Sequence, residues 1–201
     1  MNPVIKKIHQ IWVGPSPIPQ KSIQFIENIK SLHPDYEYRL WCDSDLTPEN
    51  FSNLDYIHST PVYAQKADIM RYEILYKHGG IYLDIDFEVF KNLTELLTHD
   101  FVVCNEDSNI NSYMTNAFIY SVAMNPNLKK CVENIKNCAL GGSVSVAIAT
   151  GPWYFRQNIS LEGARVLPTI VVYPTHYSQK GYRPSIFLEE TYAMHHWDKN
   201  W

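Results

Sequence analysis

The stretch Ala67 to Val89, ADIMRYEILYKHGGIYLDIDFEV, decides how this chain is read. Its first half lies within a predicted helix from Ala64 to Lys77. Gly79-Gly80 ends that helix, because glycine takes the left-handed backbone just past a helix C-terminus without steric cost. The second half predicts a strand from Ile81 to Val89. Side chains alternate along a strand, so Ile81, Leu83, Ile85, Phe87 and Val89 make an apolar face and Tyr82, Asp84, Asp86 and Glu88 a polar one. Aspartate is disfavoured in strands, and neighbours two apart lie about 6–7 Å from each other. Asp84 and Asp86 therefore repel unless something positive lies between them. A divalent cation with oxygen ligands resolves the conflict, and such an ion can hold a diphosphate as a leaving group. The plainer alternative is a strand with one solvated acidic face. Asp68 and Arg71, three apart, share a helix face, and the glycine turn brings the acidic face directly after them. Arg71 can then neutralise a carboxylate or touch a phosphate or sugar hydroxyl. A surface ion pair of little consequence is the alternative there.

Outward from this stretch, Val4 to Val13 is apolar enough for a buried strand, ended by Gly14 and the prolines Pro15, Pro17 and Pro19. Ile23, Ile26, Ile29 and Leu32 recur at helical spacing and predict a helix over Gln20 to Leu32. Alternation in Tyr36 to Leu40 predicts a short strand. Strand, helix, strand is the opening of an α/β sandwich with a mainly parallel sheet. A further helix is expected near Thr47-Pro48-Glu49, where threonine can cap and proline can occupy the first turn. Strands are expected at Phe101 to Cys104, Ala117 to Tyr120 and Arg165 to Tyr173. A helix from Asn125-Pro126 puts Leu128, Cys131, Val132, Ile135 and Cys138 on one face.

Composition bounds the function. The length of 201 residues fits one domain, 1–201. A chain 45% hydrophobic and 19% charged is globular and not disordered. The net charge of −4 and the lack of any basic run exclude a nucleic-acid footprint. No apolar stretch approaches twenty residues, so no transmembrane helix is expected, and the opening residues are too polar for a signal peptide. Cys42, Cys104, Cys131 and Cys138 form no CxxC pair and read as small buried residues in a reducing cytosol. A cytoplasmic protein, with peripheral contact at the inner face of a membrane allowed, is the expectation.

The composite of A-D-x-x-R, G-G-x-Y and D-x-D in Ala67 to Val89 closely resembles the sugar-binding region of glycosyltransferase family thirty-two. Ile5 to Pro19, IKKIHQIWVGPSPIP, resembles the family's first strand and loop, and His33 to Trp41, HPDYEYRLW, its next strand. The resemblance implies an α/β/α nucleotide-diphospho-sugar transferase fold of the GT-A type. It implies that Trp12 stacks on the nucleotide base with Ile11 alongside. Asp68 and Arg71 would contact sugar hydroxyls, and Tyr82 would lie beside the sugar or diphosphate. Asp84 would serve ribose, sugar and metal, and Asp86 would ligate Mn²⁺ or Mg²⁺. The closing HHWDKNW resembles a family lid, residues 191–201, from which His196 would approach the metal and Trp201 the diphosphate. Asn116-Ala117 and Thr150-Gly151-Pro152 are weaker landmarks. The implied reaction moves a hexose, with retention, from a nucleotide-sugar to a hydroxyl of a glycan or glycolipid. UDP is favoured over GDP by analogy with bacterial relatives, and a small bacterial glycan transferase is the expected type. A protein-glucosylating effector and a non-catalytic carbohydrate-binding module are the rivals. A phosphatase that uses a DxD nucleophile is disfavoured, since Phe87-Glu88 follows Asp86 where a small hydroxyl residue belongs. No GxxxxGK phosphate loop occurs.

Overall fold

The structure, a computed structural model, describes residues 3–106, 114–179 and 181–198. The chain runs through β1 (Lys7–Ile11), α1 (Gln20–Leu32), β2 (Glu37–Trp41), α2 (Leu54–Ser59), α3 (Tyr63–His78), β3 (Gly80–Leu83) and β4 (Phe87–Val89). It continues through β5 (Phe101–Asn105), β6 (Met114–Ser121), α4 (Pro126–Asn134), α5 (Val146–Ala149), α6 (Pro152–Asn158), β7 (Arg165–Leu167), α7 (Thr169–Val172) and β8 (Ala193–His195). The main sheet has the order β2-β1-β3-β6-β5-β7. Pairs β1/β2, β1/β3 and β5/β7 are parallel, and β6 runs antiparallel to β3 and β5.

Strand alternation divides the interior into two cores. Ile81 and Leu83 join Ile8, Ile29, Val102, Phe118 and Val172 on one face of the sheet. Tyr82 joins Ile11, Met70, Tyr72, Val103, Ile119, Leu128 and Phe155 on the other. The result is the expected α/β/α sandwich, with α1 and α7 on one side and α3, α4 and α6 on the other. The chain leaves β1 toward β2 on one side and reaches β3 on the other, so β1 sits at a point where strand order reverses. In open α/β sheets a crevice forms beyond the carboxyl ends of strands at such a point. Trp12 and Asp84 follow the ends of β1 and β3.

The helix Gln20–Leu32 forms as its periodicity predicts. Three expectations are corrected. No continuous strand runs from Ile81 to Val89. Asp84, Ile85 and Asp86 form a turn, with the Phe87 N–H donating to the Asp84 carbonyl at 3.2 Å. β4 leaves the main sheet and pairs with β8 in a small second sheet. No helix starts at Thr47. That carbonyl accepts from the Asn50 and Phe51 amides in a turn, and α2 begins only after the buried Glu73 carboxylate has taken the amides of Ser52 and Asn53 at 2.6 and 2.8 Å. This cap comes from α3, too far along the chain for a local pattern to show. The strand expected over Arg165 to Tyr173 stops at Leu167, because Pro168 turns the backbone into the short α7.

The joint between α3 and β3 is tightly fixed. Gly80 has φ +99°, and a Cβ there would lie 2.6 Å from the Lys7 carbonyl oxygen in the neighbouring β1. Gly141 has φ +87° with open space around it. Gly80→Ala is expected to lower unfolding free energy by about 3 kcal/mol, from strain and overlap together. Gly141→Ala should cost only about 1 kcal/mol. Denaturant midpoints of the two variants check the difference.

Candidate active site

The site is built where β3 ends, around α3, which is buried along most of its length. Residues Ala67 to Leu75 of α3 are all buried, so its polar side chains must find partners inside the protein. Asp68 does so completely. Its Oδ1 accepts from Asn116 Nδ2 at 2.7 Å and faces Arg71 Nη2 at 3.2 Å, and its Oδ2 accepts from the Thr150 hydroxyl at 2.8 Å. Asn116 also donates to the Tyr72 hydroxyl, which donates to the Thr150 carbonyl. Burial pushes the Asp68 carboxyl up to about 6 against the opposing pull of Arg71, Thr150 and Asn116. The two weaker landmarks of the sequence, Asn116 and Thr150, are thus the residues that satisfy Asp68.

Arg71 is just as enclosed. Its Nη1 lies 3.1 Å from Asp84 Oδ1 and donates to the Asn116 carbonyl at 2.8 Å. Its guanidinium covers the Tyr82 ring at 4.5 Å. Burial works against the charge, but Asp84, Tyr82 and Asp68 hold Arg71 protonated beyond its usual range. Tyr82, fully buried, donates its hydroxyl to Asp84 Oδ1 at 2.7 Å. Arg71 and Tyr82 therefore both fix the same oxygen of Asp84. That leaves Asp84 Oδ2 turned toward the small sheet.

Asp86 sits across the turn. Its Oδ1 meets His195 Nε2 at 2.9 Å, and its Oδ2 accepts the Asp198 N–H at 2.9 Å. His195 Nε2 also lies 3.8 Å from Asp84 Oδ2. Ligand atoms of Asp84, Asp86 and His195 all fall within 4.8 Å of one another. Apart from the Asp86 contact, the imidazole is held by rings. Phe87 stacks on it at 4.6 Å, Trp197 lies at 4.1 Å, and buried Nδ1 has no hydrogen-bond partner among the described residues. Nε2 is thus the atom presented to the two acids. Burial favours neutral forms here, but the His195 charge and hydrogen bond bring Asp86 down to about 2, while Asp86 raises His195 above its ordinary range.

The family resemblance put the neighbouring His196 near the metal; the structure brings His195, and not His196, beside Asp84 and Asp86. His196 Nδ1 receives Lys21 Nζ at 3.0 Å, and His196 Nε2 meets Glu88 Oε2 at 3.0 Å. A lysine has no acceptor, so Nδ1 accepts and Nε2 donates. Both ring nitrogens are occupied away from Asp84 and Asp86. His196 is the residue just after β8, and adjacent side chains of an extended backbone leave on opposite sides. Glu88 likewise leaves the acidic face assigned to it and pairs with Arg183 at 2.8 Å. The buried Ile11 side chain is core. Trp12 is mostly buried beyond the end of β1, with its indole N–H on the Ser16 carbonyl at 2.7 Å. Trp201 lies outside the described residues.

Two carboxylate oxygens and one imidazole nitrogen suit a divalent cation. Among the described residues no helix is long and apolar enough to cross a membrane.

Residues 19–103 match the family described as the glycosyltransferase sugar-binding region containing a DXD motif. Inositol phosphoceramide mannosyltransferase 3 of Schizosaccharomyces pombe is 42% identical over 46% of this chain and 27% of its own length. Inositol phosphoceramide mannosyltransferase 2 of the same yeast is 31% identical over 75% of this chain and 45% of its own length. An uncharacterized glycosyltransferase of Acanthamoeba polyphaga mimivirus is 32% identical over 76% of this chain and 63% of its own length. The chain therefore spans from about a quarter to somewhat under two thirds of these curated relatives. These three relatives are fungal and viral. Among solved structures, the PaToxG glycosyltransferase superposes with a TM-score of 0.60 at 23% identity, covering 80% of this chain and 69% of that one. The galactosyltransferase LgtC, solved with donor and acceptor sugar analogues, gives 0.53 at 12% identity, covering 94% and 86%. Both likenesses give the fold, which is of the GT-A type.

Asp68 accepts from Asn116, Thr150 and Arg71 inside the protein, so removing its carboxylate leaves buried donors unmet and takes one of two acids from Arg71. Asp68→Ala is expected to destabilise the protein by about 3–5 kcal/mol. Glu133→Ala, which breaks the exposed Lys129–Glu133 pair, should change stability by less than about 0.5 kcal/mol. Chemical denaturation of the two variants checks both values.

Proposed function

We propose, from the match of residues 19–103 to the glycosyltransferase sugar-binding region containing a DXD motif, that the protein is a glycosyltransferase of that family and transfers a hexose from a nucleotide-sugar to an acceptor hydroxyl. The observation that carries the proposal is the convergence of Asp84, Asp86 and His195 within 4.8 Å, beyond the end of β3. A divalent cation held there would supply positive charge to the diphosphate as it departs.

The remaining roles belong to the protein's own groups. Arg71 and Tyr82 hold Asp84 Oδ1, so that Oδ2 stays directed at His195. The Asp198 N–H holds Asp86 Oδ2. In this proposal Asp68 and Arg71 act from within the wall of the site, since their polar atoms are already engaged inside the protein. Trp12, beyond the end of the neighbouring β1, is the proposed partner of the nucleotide base. Retention of anomeric configuration is proposed from the family resemblance, without a protein nucleophile.

The yeast relatives are named for mannose transfer to inositol phosphoceramide. Those names support a glycolipid acceptor and add GDP-mannose to the UDP-hexoses as donors to test. Turnover of a panel of nucleotide-sugars with Mn²⁺, Mg²⁺ or EDTA tests the proposal. Hydrolysis or transfer is expected with one donor in Mn²⁺ and not in EDTA. Asp86→Ala is expected to lower that rate about a hundred-fold or more. A full rate in EDTA would contradict the metal assignment. Glycan binding without turnover of any donor would favour a binding module.

A further inference from the structure

The segment that carries His195 has a strained residue within it. Trp197 has φ +58°, in the left-handed region that a bulky side chain rarely adopts. Such a conformation persists only where surrounding contacts over-determine it. Those contacts lie on both sides of Trp197 in the chain. Before it, His196 bonds to Glu88 and stacks on Phe25 at 5.0 Å. After it, the Asp198 N–H holds Asp86. One side chain grips both flanks: Lys21 Nζ lies 3.0 Å from His196 Nδ1 and 3.1 Å from Asp198 Oδ2.

Lys21 and Phe25 are four apart in α1, so they share a helix face. α1 is itself fixed to β4, because Asn28 Nδ2 donates to the Val89 carbonyl. The helix thus presents a ring and an ammonium to the two residues that flank Trp197, and its own position is set by the strand that begins one residue after Asp86. We infer that Lys21 is a positioning residue: by holding His196 and Asp198 it keeps His195 and the Asp198 N–H on Asp86. It touches no reacting atom and acts through residues 195–198. The inference extends the metal reading above and rests on it for the consequence to cation binding, but not for the clasp itself.

The experiment uses the full chain with Lys21→Ala and Lys21→Arg. The Lys21 side chain is nearly half exposed, so its loss leaves the cores intact. In metal-free protein, hydrogen exchange at the amides of residues 193–198 is expected to speed up about three- to five-fold in Lys21→Ala, with Lys21→Arg near the parent. Mn²⁺ affinity, followed by the electron paramagnetic resonance of the free ion, is expected to fall by a similar factor in Lys21→Ala and to return in Lys21→Arg. A simple surface ion pair would move neither readout. Unchanged exchange at 193–198 in Lys21→Ala overturns the inference whatever the metal does. Parent protein that binds no Mn²⁺, with exchange responding as expected, overturns the metal reading and leaves the clasp standing.

Discussion

Three carboxylates, Asp68, Asp84 and Asp86, are gathered at one end of a buried helix and strand, and the rest of the site follows from how their charge is compensated. Burying unpaired charge is prohibitively costly. Arg71 answers for Asp68 and for one oxygen of Asp84. His195 answers for Asp86 and faces the other oxygen of Asp84. The two cations differ in kind. Arg71 is permanently charged and fully engaged, so it fixes structure. His195 can give up its proton, and its Nε2 would then join the two acids as a third ligand to a metal ion. The division explains why one Asp–Arg pair belongs to the wall of the site and the other acids to its working face.

The same constraint shapes the backbone. A continuous strand through Asp84 and Asp86 would place both on one face and leave them without a shared cation from the protein. The turn at Ile85 instead sends β4 out of the main sheet. It pairs with β8 so that Phe87 lies opposite His195. The small second sheet is therefore what delivers a residue from the far end of the chain to the acids. The aromatic packing of Phe87 and Trp197 holds the delivered ring with Nε2 inward.

Much of this was legible in the sequence, where the signal was local. The period of Ile23, Ile26, Ile29 and Leu32 gives α1, and Gly79-Gly80 gives the end of α3. The motif spacing singles out Asp68, Arg71, Asp84 and Asp86. What escaped depends on distant partners. The cap of α2 comes from Glu73. The break in the DxD strand depends on pairing with β8, more than a hundred residues later. Which of two adjacent histidines lies beside Asp84 and Asp86 follows from the same cause. Two adjacent histidines cannot be told apart by composition, and only the β4/β8 register decides which one faces the acids. Alternation from that register, had it been known, would have given His195 directly.

The central claim is that a cation site is made of Asp84, Asp86 and His195 and not of His196. Mn²⁺ titration of the parent, His195→Ala and His196→Ala proteins tests it most directly. His195→Ala is expected to lose about a hundred-fold in Mn²⁺ affinity, and His196→Ala less than about ten-fold. Loss in His196→Ala with affinity retained in His195→Ala would contradict the site as described.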